Sequence, residues 1–279
     1  MILDLVDEYR SQMGRLGGRK LHHLISSRLP GNLRIGRDQF FRLLGAHGYL
    51  LRNRRVRVRT TNSYHHYHRF PNLIRDFIPD GPSELYVSDI TYLLGKDGVF
   101  YYLCLVTDAY SRKIMGWCVW DTLEMSGPLE ALKMALGQTP STARLIHHSD
   151  RGVQYCSHDY VKMLRDAPLA EINISMTESG DPLENAIAER VNGILKTEWL
   201  NQMEFTSLED TRCKVGQVVG IYNTKRPHAS IDMLTPEQAH LSRGPIKRRW
   251  KNYYYKKTSE PDKSEEKKVG LHNRLPFGG

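Results

Sequence analysis

The feature that most constrains the fold lies between residues 84 and 121, where three β-rich segments follow one another with only short turns between them. The segments are rich in β-branched and aromatic residues, which favour strands. The run Gly95-Lys96-Asp97-Gly98 between the first two is typical of a hairpin turn. Short turns join antiparallel neighbours, so the region predicts a β-meander with strands at 84–94, 99–108 and 113–121.

After the meander, the hydrophobic pattern alternates between helical and strand periods. It predicts helices at 124–137, 157–165, 183–200 and 208–223, and strands at 143–148 and 171–176. A meander followed by alternating helices and strands predicts an α/β fold. We expect a mixed five-stranded sheet, antiparallel first and parallel later, flanked by helices.

The N-terminal region has a different texture. Two short helices are predicted at 18–28 and 36–47, around the helix-breaking Pro30-Gly31-Asn32, and this arrangement resembles a helix-turn-helix. An arginine-rich stretch follows, and its alternation with valine predicts an exposed DNA-contacting ribbon that presents Arg55, Arg57 and Arg59. The predicted organisation is a helical DNA-binding segment (1–60), a linker (61–82), an α/β core (83–242) and a basic, partly disordered tail (243–279).

Charge is distributed unevenly along the chain. The net charge is +9 overall, made up of +9 in residues 1–80, −7 in 81–242 and +7 in 243–279. Basic ends around an acidic middle fit a chain whose ends hold a polyanion, and the middle would need cations to approach it; the alternative is that basic ends only aid solubility.

No apolar run approaches the roughly 20 residues that span a bilayer. The four cysteines, none at metal-ligand spacing, indicate reduced thiols in a cytoplasmic protein.

Three acidic residues stand in unusual contexts. Asp89 lies inside the first predicted strand, where a carboxylate is costly unless it is exposed, paired or bound to a metal. Asp150 directly follows the fourth predicted strand, with Gly152 two residues later; a simple turn is the alternative explanation. Glu189 lies in the predicted helix 183–200.

Helical spacing groups Glu189 with Asn185, Asn192 and Lys196 on one face. The opposite, apolar face carries Ile187, Val191, Ile194 and Leu195. Asparagine is a poor helix former, which favours a working surface over an ordinary solvated face. Two aspartates on strands and a glutamate on a covering helix would suit hard cations such as Mg²⁺, which support phosphoryl transfer; purely structural acids remain the alternative.

Five segments, in order, resemble those of insertion-sequence transposases with a retroviral-integrase-type core, specifically the second-reading-frame product of insertion-sequence family three. They are SDIT (88–91), LVTDAYSR (105–112), HSDRGVQY (148–155), ENAIAERVNGILKTE (184–198) and YNTKRPH (222–228). The resemblance is strong over about residues 80–240, and the N-terminal helix pair also resembles that family's helix-turn-helix.

The resemblance implies an RNase H-like fold and a DNA transposase that performs metal-dependent cleavage and strand transfer, the steps of DNA integration. It places a catalytic and metal-binding triad on Asp89, Asp150 and Glu189, with two Mg²⁺ or Mn²⁺ ions. The gap of 38 residues before Glu189 is three longer than is usual in the family, and we place the extra residues near 166–171. Glu184 is the alternative third acid.

The resemblance also implies partners. They are the DNA of the element ends and of the target, further copies of the chain, and a first-frame protein or frameshift fusion; the expected location is cytoplasmic and nucleoid-associated. Asn192, Lys196 and Arg226 are predicted to contact DNA, although Arg226 and its neighbours equally fit a helix cap. Asp108 is expected to brace the site.

Two rival functions share parts of this sequence. An RNase H-like hydrolytic nuclease would use the same acids with water as the only acceptor. A non-catalytic DNA-binding repressor would use residues 18–60 and would not need Asp89.

Overall fold

The structure, a computed structural model, describes residues 1–51, 68–96, 98–178 and 182–247. Arg55, Arg57 and Arg59, most of the predicted linker and the tail from residue 248 lie outside the described residues. No helix in the described ranges is long and apolar enough to cross a lipid bilayer.

Five strands form one mixed sheet in the order β3-β2-β1-β4-β5. Strand β1 pairs antiparallel with β2 and parallel with β4, while β3 and β5 complete the two edges. This is the predicted meander followed by parallel strands, so the predicted fold class is confirmed. The strands are β1 (Leu85–Leu94), β2 (Phe100–Asp108), β3 (Ile114–Trp120), β4 (Arg144–Ser149) and β5 (Glu171–Met176).

Nine α-helices occur in the described residues, and most agree with the predicted ranges to within a few residues. Three of them, the first and the two shortest, are absent from the sequence-based prediction. The helices are α1 (Ile2–Gln12), α2 (Gly18–Ser26), α3 (Arg37–Ala46), α4 (Ser126–Leu136), α5 (Val153–Cys156), α6 (His158–Arg165), α7 (Ala186–Glu198), α8 (Leu208–Thr224) and α9 (Pro236–His240).

Helices cover both faces of the sheet, as the alternation of side chains along β2 shows. Cys104 and Val106 pack into a cluster with α4, whereas Leu103 and Leu105 pack into the cluster that contains α7 and α8. Burying alternate side chains on opposite faces is the expected consequence of strand geometry. Helix α7, which carries Glu189, therefore lies against one defined face of the central strands.

The N-terminal helices pack on the core instead of standing apart from it. Val6 of α1 and Leu21 of α2 belong to the same buried apolar cluster as Val191 and Leu195 of α7. On α3, Phe40 is buried while Arg37 is exposed, as the helix-turn-helix interpretation requires. The predicted role of this segment in DNA binding stays a prediction.

Two buried histidines fix β4 between its neighbours. The ring of His147 contacts the hydroxyls of Ser88 at 2.9 Å and Tyr160 at 3.0 Å, and Nδ1 of His148 lies 2.8 Å from Oγ of Ser175. Burial lowers the pKa of His147 to about 3 and that of His148 to about 4, so both rings are neutral at pH 7. They support the strand that leads to Asp150 without adding positive charge.

We predict that Gly116→Ala in β3 lowers the free energy of unfolding by about 2–4 kcal/mol. A Cβ at Gly116 would overlap the carbonyl oxygen of Ala131 and lie 2.9 Å from the backbone nitrogen of Ala135, so α4 would have to move off the sheet. Urea denaturation measures the change. As the control, Gly193→Ala on an exposed position of α7 meets no atom within 4 Å and should stabilise by about 0.5–1 kcal/mol. Equal stability of the two variants would contradict this account of the sheet–helix contact.

Candidate active site

The parallel pairing of β1 and β4 brings two aspartates together. The register pairs Ser88 of β1 with Ser149 of β4. The residue that follows Ser88 is Asp89, and the residue that follows Ser149 is Asp150. Registered neighbours on parallel strands point to the same face of a sheet. Both aspartates are half-buried. Two residues 61 positions apart in the sequence thus form one local group of negative charge.

The electrostatics of Asp89 reflect this gathering of acids. Burial, and then the charge of Asp150, raise the pKa of Asp89 to about 7, and the charge of Glu189 adds to the effect. Hydrogen bonds from Asn192 and from the backbone of Ile90 act in the opposite direction. A carboxylate with such neighbours is stabilised by a bound cation, because a cation offsets both the lost hydration and the repulsion.

Glu189 reaches the site from α7, whose polar face lies against β1. The side-chain amide of Asn192 donates to Oδ2 of Asp89 at 2.8 Å, and that of Asn185 donates to the backbone oxygen of Ser88 at 3.0 Å. Glu189 lies between these two amides on the same face of the helix and is exposed. The polar face therefore contacts the strand through Asn185 and Asn192, while Glu189 on the same face is exposed to solvent.

Lys196 extends the same face of α7 by one turn. Its Nζ donates to Oγ1 of Thr91 at 3.1 Å and to the backbone oxygen of Tyr92 at 2.9 Å, and lies 4.2 Å from the centre of the Tyr92 ring. The ammonium is half-buried. It places a positive charge on the strand two to three residues beyond Asp89.

The turn after β4 holds the carboxylate of Asp150. The backbone N–H of Gly152 donates to Oδ1 of Asp150 at 2.9 Å. A Cβ at Gly152 would lie 2.9 Å from that same oxygen, so a larger residue would press on the carboxylate. Asp150-Arg151-Gly152 therefore form a turn that holds the carboxylate of Asp150, and a metal-binding role for Asp150 stays a prediction.

The three acids are near one another but are not assembled as a finished metal site. Among the residues that the structure describes, no three His, Cys, Asp or Glu side chains lie close enough together to hold a metal ion. The Oδ1 atom of the buried Asn192 also finds no hydrogen-bond partner among the described residues. Carboxylate and amide oxygens are what Mg²⁺ and Mn²⁺ prefer, so the donor chemistry fits these ions, with Glu189 having to approach the two aspartates.

The alternative acids have other contacts. Oε2 of Glu184 accepts the backbone N–H of Glu178 at 2.7 Å and so supports the chain beyond β5. Asp108 is fully buried and accepts hydrogen bonds from the backbone N–H groups of Ser83 and Ser111, both at 2.7 Å. Asp108 stabilises the turn that follows β2. It lies opposite Tyr86 in the pairing of β1 with β2, and Tyr86 is three residues before Asp89.

The prediction that Arg226 contacts DNA is not supported by its environment. Its side chain is 1% exposed, and its Nε and Nη2 donate to the two oxygens of Glu198 at 2.8 and 2.6 Å. A phosphate cannot reach a guanidinium that is enclosed and already occupied in this way. Glu198 ends α7 and Arg226 follows α8, so no local sequence pattern connects the two residues.

We predict that Asp89→Asn stabilises the metal-free protein at pH 8 by on the order of 1–3 kcal/mol. The pKa of Asp89 is higher in the folded chain than in the unfolded one, so stability is lost as pH rises from about 4 through 7. The gain should therefore be full at pH 8 and small at pH 4. Urea denaturation in a chelating buffer measures it, with the exposed Asp159→Asn as the control. An unchanged or lower stability at pH 8 would contradict the account of crowded negative charge.

The sequence is similar to integrase core domains and to insertion-sequence transposases. Two family models, both described as integrase core domain, match residues 79–182 and 170–236. The transposase for insertion sequence element IS629 of Shigella sonnei is 30% identical over 212 residues, which are 76% of this chain and 70% of that protein. Transposase InsF for insertion sequence IS3A of Escherichia coli (strain K12) is 35% identical over 167 residues, which are 60% of this chain and 57% of that protein.

The fold has a solved counterpart as well. A chain of the simian T-cell lymphotropic virus intasome, determined in complex with PP2A regulatory subunit B56 gamma, matches with a TM-score of 0.50 and 18% identity, over 86% of this chain and 77% of that chain. This likeness concerns the fold. The relatives and the family models together show that this chain belongs to the insertion-sequence transposases with an integrase core domain, as its five ordered motifs predict.

Proposed function

We propose that this transposase cleaves and joins DNA in a reaction that depends on divalent cations held by Asp89, Asp150 and Glu189. The observation that carries the proposal is the register of β1 and β4, which sets Asp89 beside Asp150 on the face that α7 covers. When bound, Mg²⁺ or Mn²⁺ supplies the charge that activates the attacking oxygen and stabilises the leaving oxygen of a phosphodiester.

The chain's own residues orient the acids for this task. Asn192 holds one oxygen of Asp89 and the backbone N–H of Ile90 holds the other, while the N–H of Gly152 holds Asp150. A carboxylate fixed by such contacts loses little conformational freedom on binding a cation. Glu189 completes the set from the exposed side of α7, where DNA can approach.

Lys196 is suited to hold the DNA backbone at this site. An ammonium has three donors, and its contacts with Thr91 and Tyr92 use two of them. A phosphate oxygen can accept a further one, which would place a phosphodiester close to Asp89. Asn192, by contrast, is nine-tenths buried, and its amide donates to Asp89. We therefore assign it to orienting the acid and not to contacting DNA.

The basic ends of the chain support binding to the element ends and to the target DNA. Residues 1–80 and 243–279 carry net charges of +9 and +7, whereas the core between them carries −7. We propose that further copies of the chain join it on the DNA, and that a first-frame protein or a fusion to one contributes recognition of the ends. Joining of a free 3′ end to a second duplex separates this function from that of a hydrolytic nuclease, which would only nick.

We predict that Asp150→Asn and Glu189→Gln each reduce Mg²⁺-dependent strand transfer by a factor on the order of 100 or more, without unfolding the chain. The assay joins precut element ends to a target duplex, and circular dichroism checks the fold. Glu184→Gln is the matched control, because Glu184 lies five residues before Glu189 and supports a neighbouring segment. Normal joining by Glu189→Gln, or loss only in Glu184→Gln, would refute the assignment of the third acid.

We also predict that the affinity for DNA falls steeply as salt rises. Each phosphate neutralised by Lys or Arg releases a counterion, so the logarithm of the binding constant falls linearly with the logarithm of the salt concentration. Fluorescence anisotropy with a labelled duplex at several salt concentrations measures the slope. A slope near zero would contradict the role assigned to the basic ends.

A further inference from the structure

A buried ion cluster connects three distant parts of the chain. Glu198, the last residue of α7, accepts two hydrogen bonds from Arg226 and one from Lys20 of α2, the latter at 3.3 Å. The exposed fractions of the three side chains are 19% for Lys20, 13% for Glu198 and 1% for Arg226. We call Lys20, Glu198 and Arg226 the Glu198 cluster.

The Glu198 cluster lies at the end of the helix that carries Glu189. The two residues are nine positions apart on α7, which corresponds to about 13 Å along the helix axis. Asn185 and Asn192 bind the first part of the helix to β1, so the cluster holds the end that these amides do not reach. A rigid helix held at both ends transmits a displacement of one end to the acid near the other.

Further contacts attach the N-terminal helices at the same place. Nε1 of Trp199, the residue after α7, donates to the backbone oxygen of Gln12 at 2.8 Å, and Nζ of Lys225 donates to Oε1 of Gln12 at 2.8 Å. Lys20 and Gln12 thus connect the first two helices to the end of α7, and Gln12 also connects α1 to the residue that follows α8. The contact of Lys20 is the only one of these three polar contacts that brings the N-terminal segment to Glu198.

Placing the ammonium of Lys20 between α2 and the end of α7 has an energetic cost, because the charge loses hydration. Burial, and then the charge of Arg226, lower the pKa of Lys20 to about 8, and the attraction of Glu198 offsets only part of this effect. The two cations in turn lower the pKa of Glu198 against the opposing effect of its burial. Apolar residues of similar size often replace buried ion pairs without loss of stability, so the distinctive effect of such a pair is to define one arrangement over others. Two helices that meet only through apolar contacts can shift along each other. The hydrogen bond from Lys20 to Glu198 opposes such a shift between α2 and α7, because the ammonium would lose its acceptor.

We propose that Lys20, Glu198 and Arg226 are positioning residues, through which the N-terminal helices fix the placement of α7 and so of Glu189 during strand transfer. The inference rests on the proposed function and adds a role for residues that do not touch the reacting groups. It assigns to Arg226 a position in the interior scaffold of the active site in place of a contact with DNA.

The test is Lys20→Met in the full chain, which removes the ammonium but keeps the Glu198–Arg226 pair and the apolar stem. We expect kcat for strand transfer to fall on the order of tenfold, because the acid is misplaced. The KM for DNA should stay unchanged, because the ammonium of Lys20 is only 19% exposed and is paired with Glu198, unlike the exposed basic residues assigned to DNA binding. The midpoint of thermal unfolding should not fall, because a costly buried charge has been removed. Lys20→Arg should restore most of the activity.

Lys225→Met is the matched control, because it removes a lysine from the same interface without touching Glu198, and it should keep the wild-type kcat. Equal kcat values for Lys20→Met and Lys225→Met would overturn the proposal. Loss of activity in proportion to a lowered unfolding midpoint would overturn it too, because the cluster would then be a stability element alone.

Hydrogen exchange provides a readout that does not depend on catalysis. Backbone amides of residues 186–198 should exchange faster in Lys20→Met than in Lys225→Met. If the wild-type chain fails to join DNA in Mg²⁺, the proposed function fails, and the exchange comparison alone then decides whether the cluster positions α7. Identical exchange in the two variants would overturn the positioning role whatever the activity.

Discussion

The parallel pairing of β1 with β4 is the constraint on which the rest of the site depends. It brings Asp89 of β1 close to Asp150, which directly follows β4, and a shift of register by one residue would turn the side chains of one strand to the other face. Repulsion between the two carboxylates disfavours this arrangement. The buried contacts around the strands impose it, including the hydrogen bonds of His147 to Ser88 and of His148 to Ser175.

Helix α7 shows how the structure combines a costly site with a stable scaffold. Its apolar residues join the core. Its amides bind β1, because Asn192 donates to the carboxylate of Asp89 and Asn185 donates to the backbone oxygen of Ser88. Its last residue binds buried cations from two other segments. One helix therefore carries Glu189, the proposed third acid, an amide that donates to Asp89, and an attachment to the N-terminal helices.

Much of the architecture was predictable, because local patterns report local structure. Alternation, turn residues and helical periods predicted all five strands and the main core helices, and the pattern of amides around Glu189 predicted a working face. Helices α1, α5 and α9 were not predicted; α5 and α9 have only four and five residues, which is too few to show a helical period. The role of Arg226 was misread because a basic, polar motif after a helix suggests a surface, whereas its side chain is enclosed by residues from elsewhere in the chain.

The sequence by itself determined the fold class, the family and the identity of the candidate acids, because these follow from residue types at short spacings and from ordered motifs. Only the tertiary structure decided that Asp89 is Asp150's neighbour, that Asn192 is buried and donates to Asp89, and that Lys20, Glu198 and Arg226 meet. The physical reason is distance along the chain. Burial and charge pairing between residues separated by tens or hundreds of positions depend on how strands register and helices pack, and no local pattern contains that information.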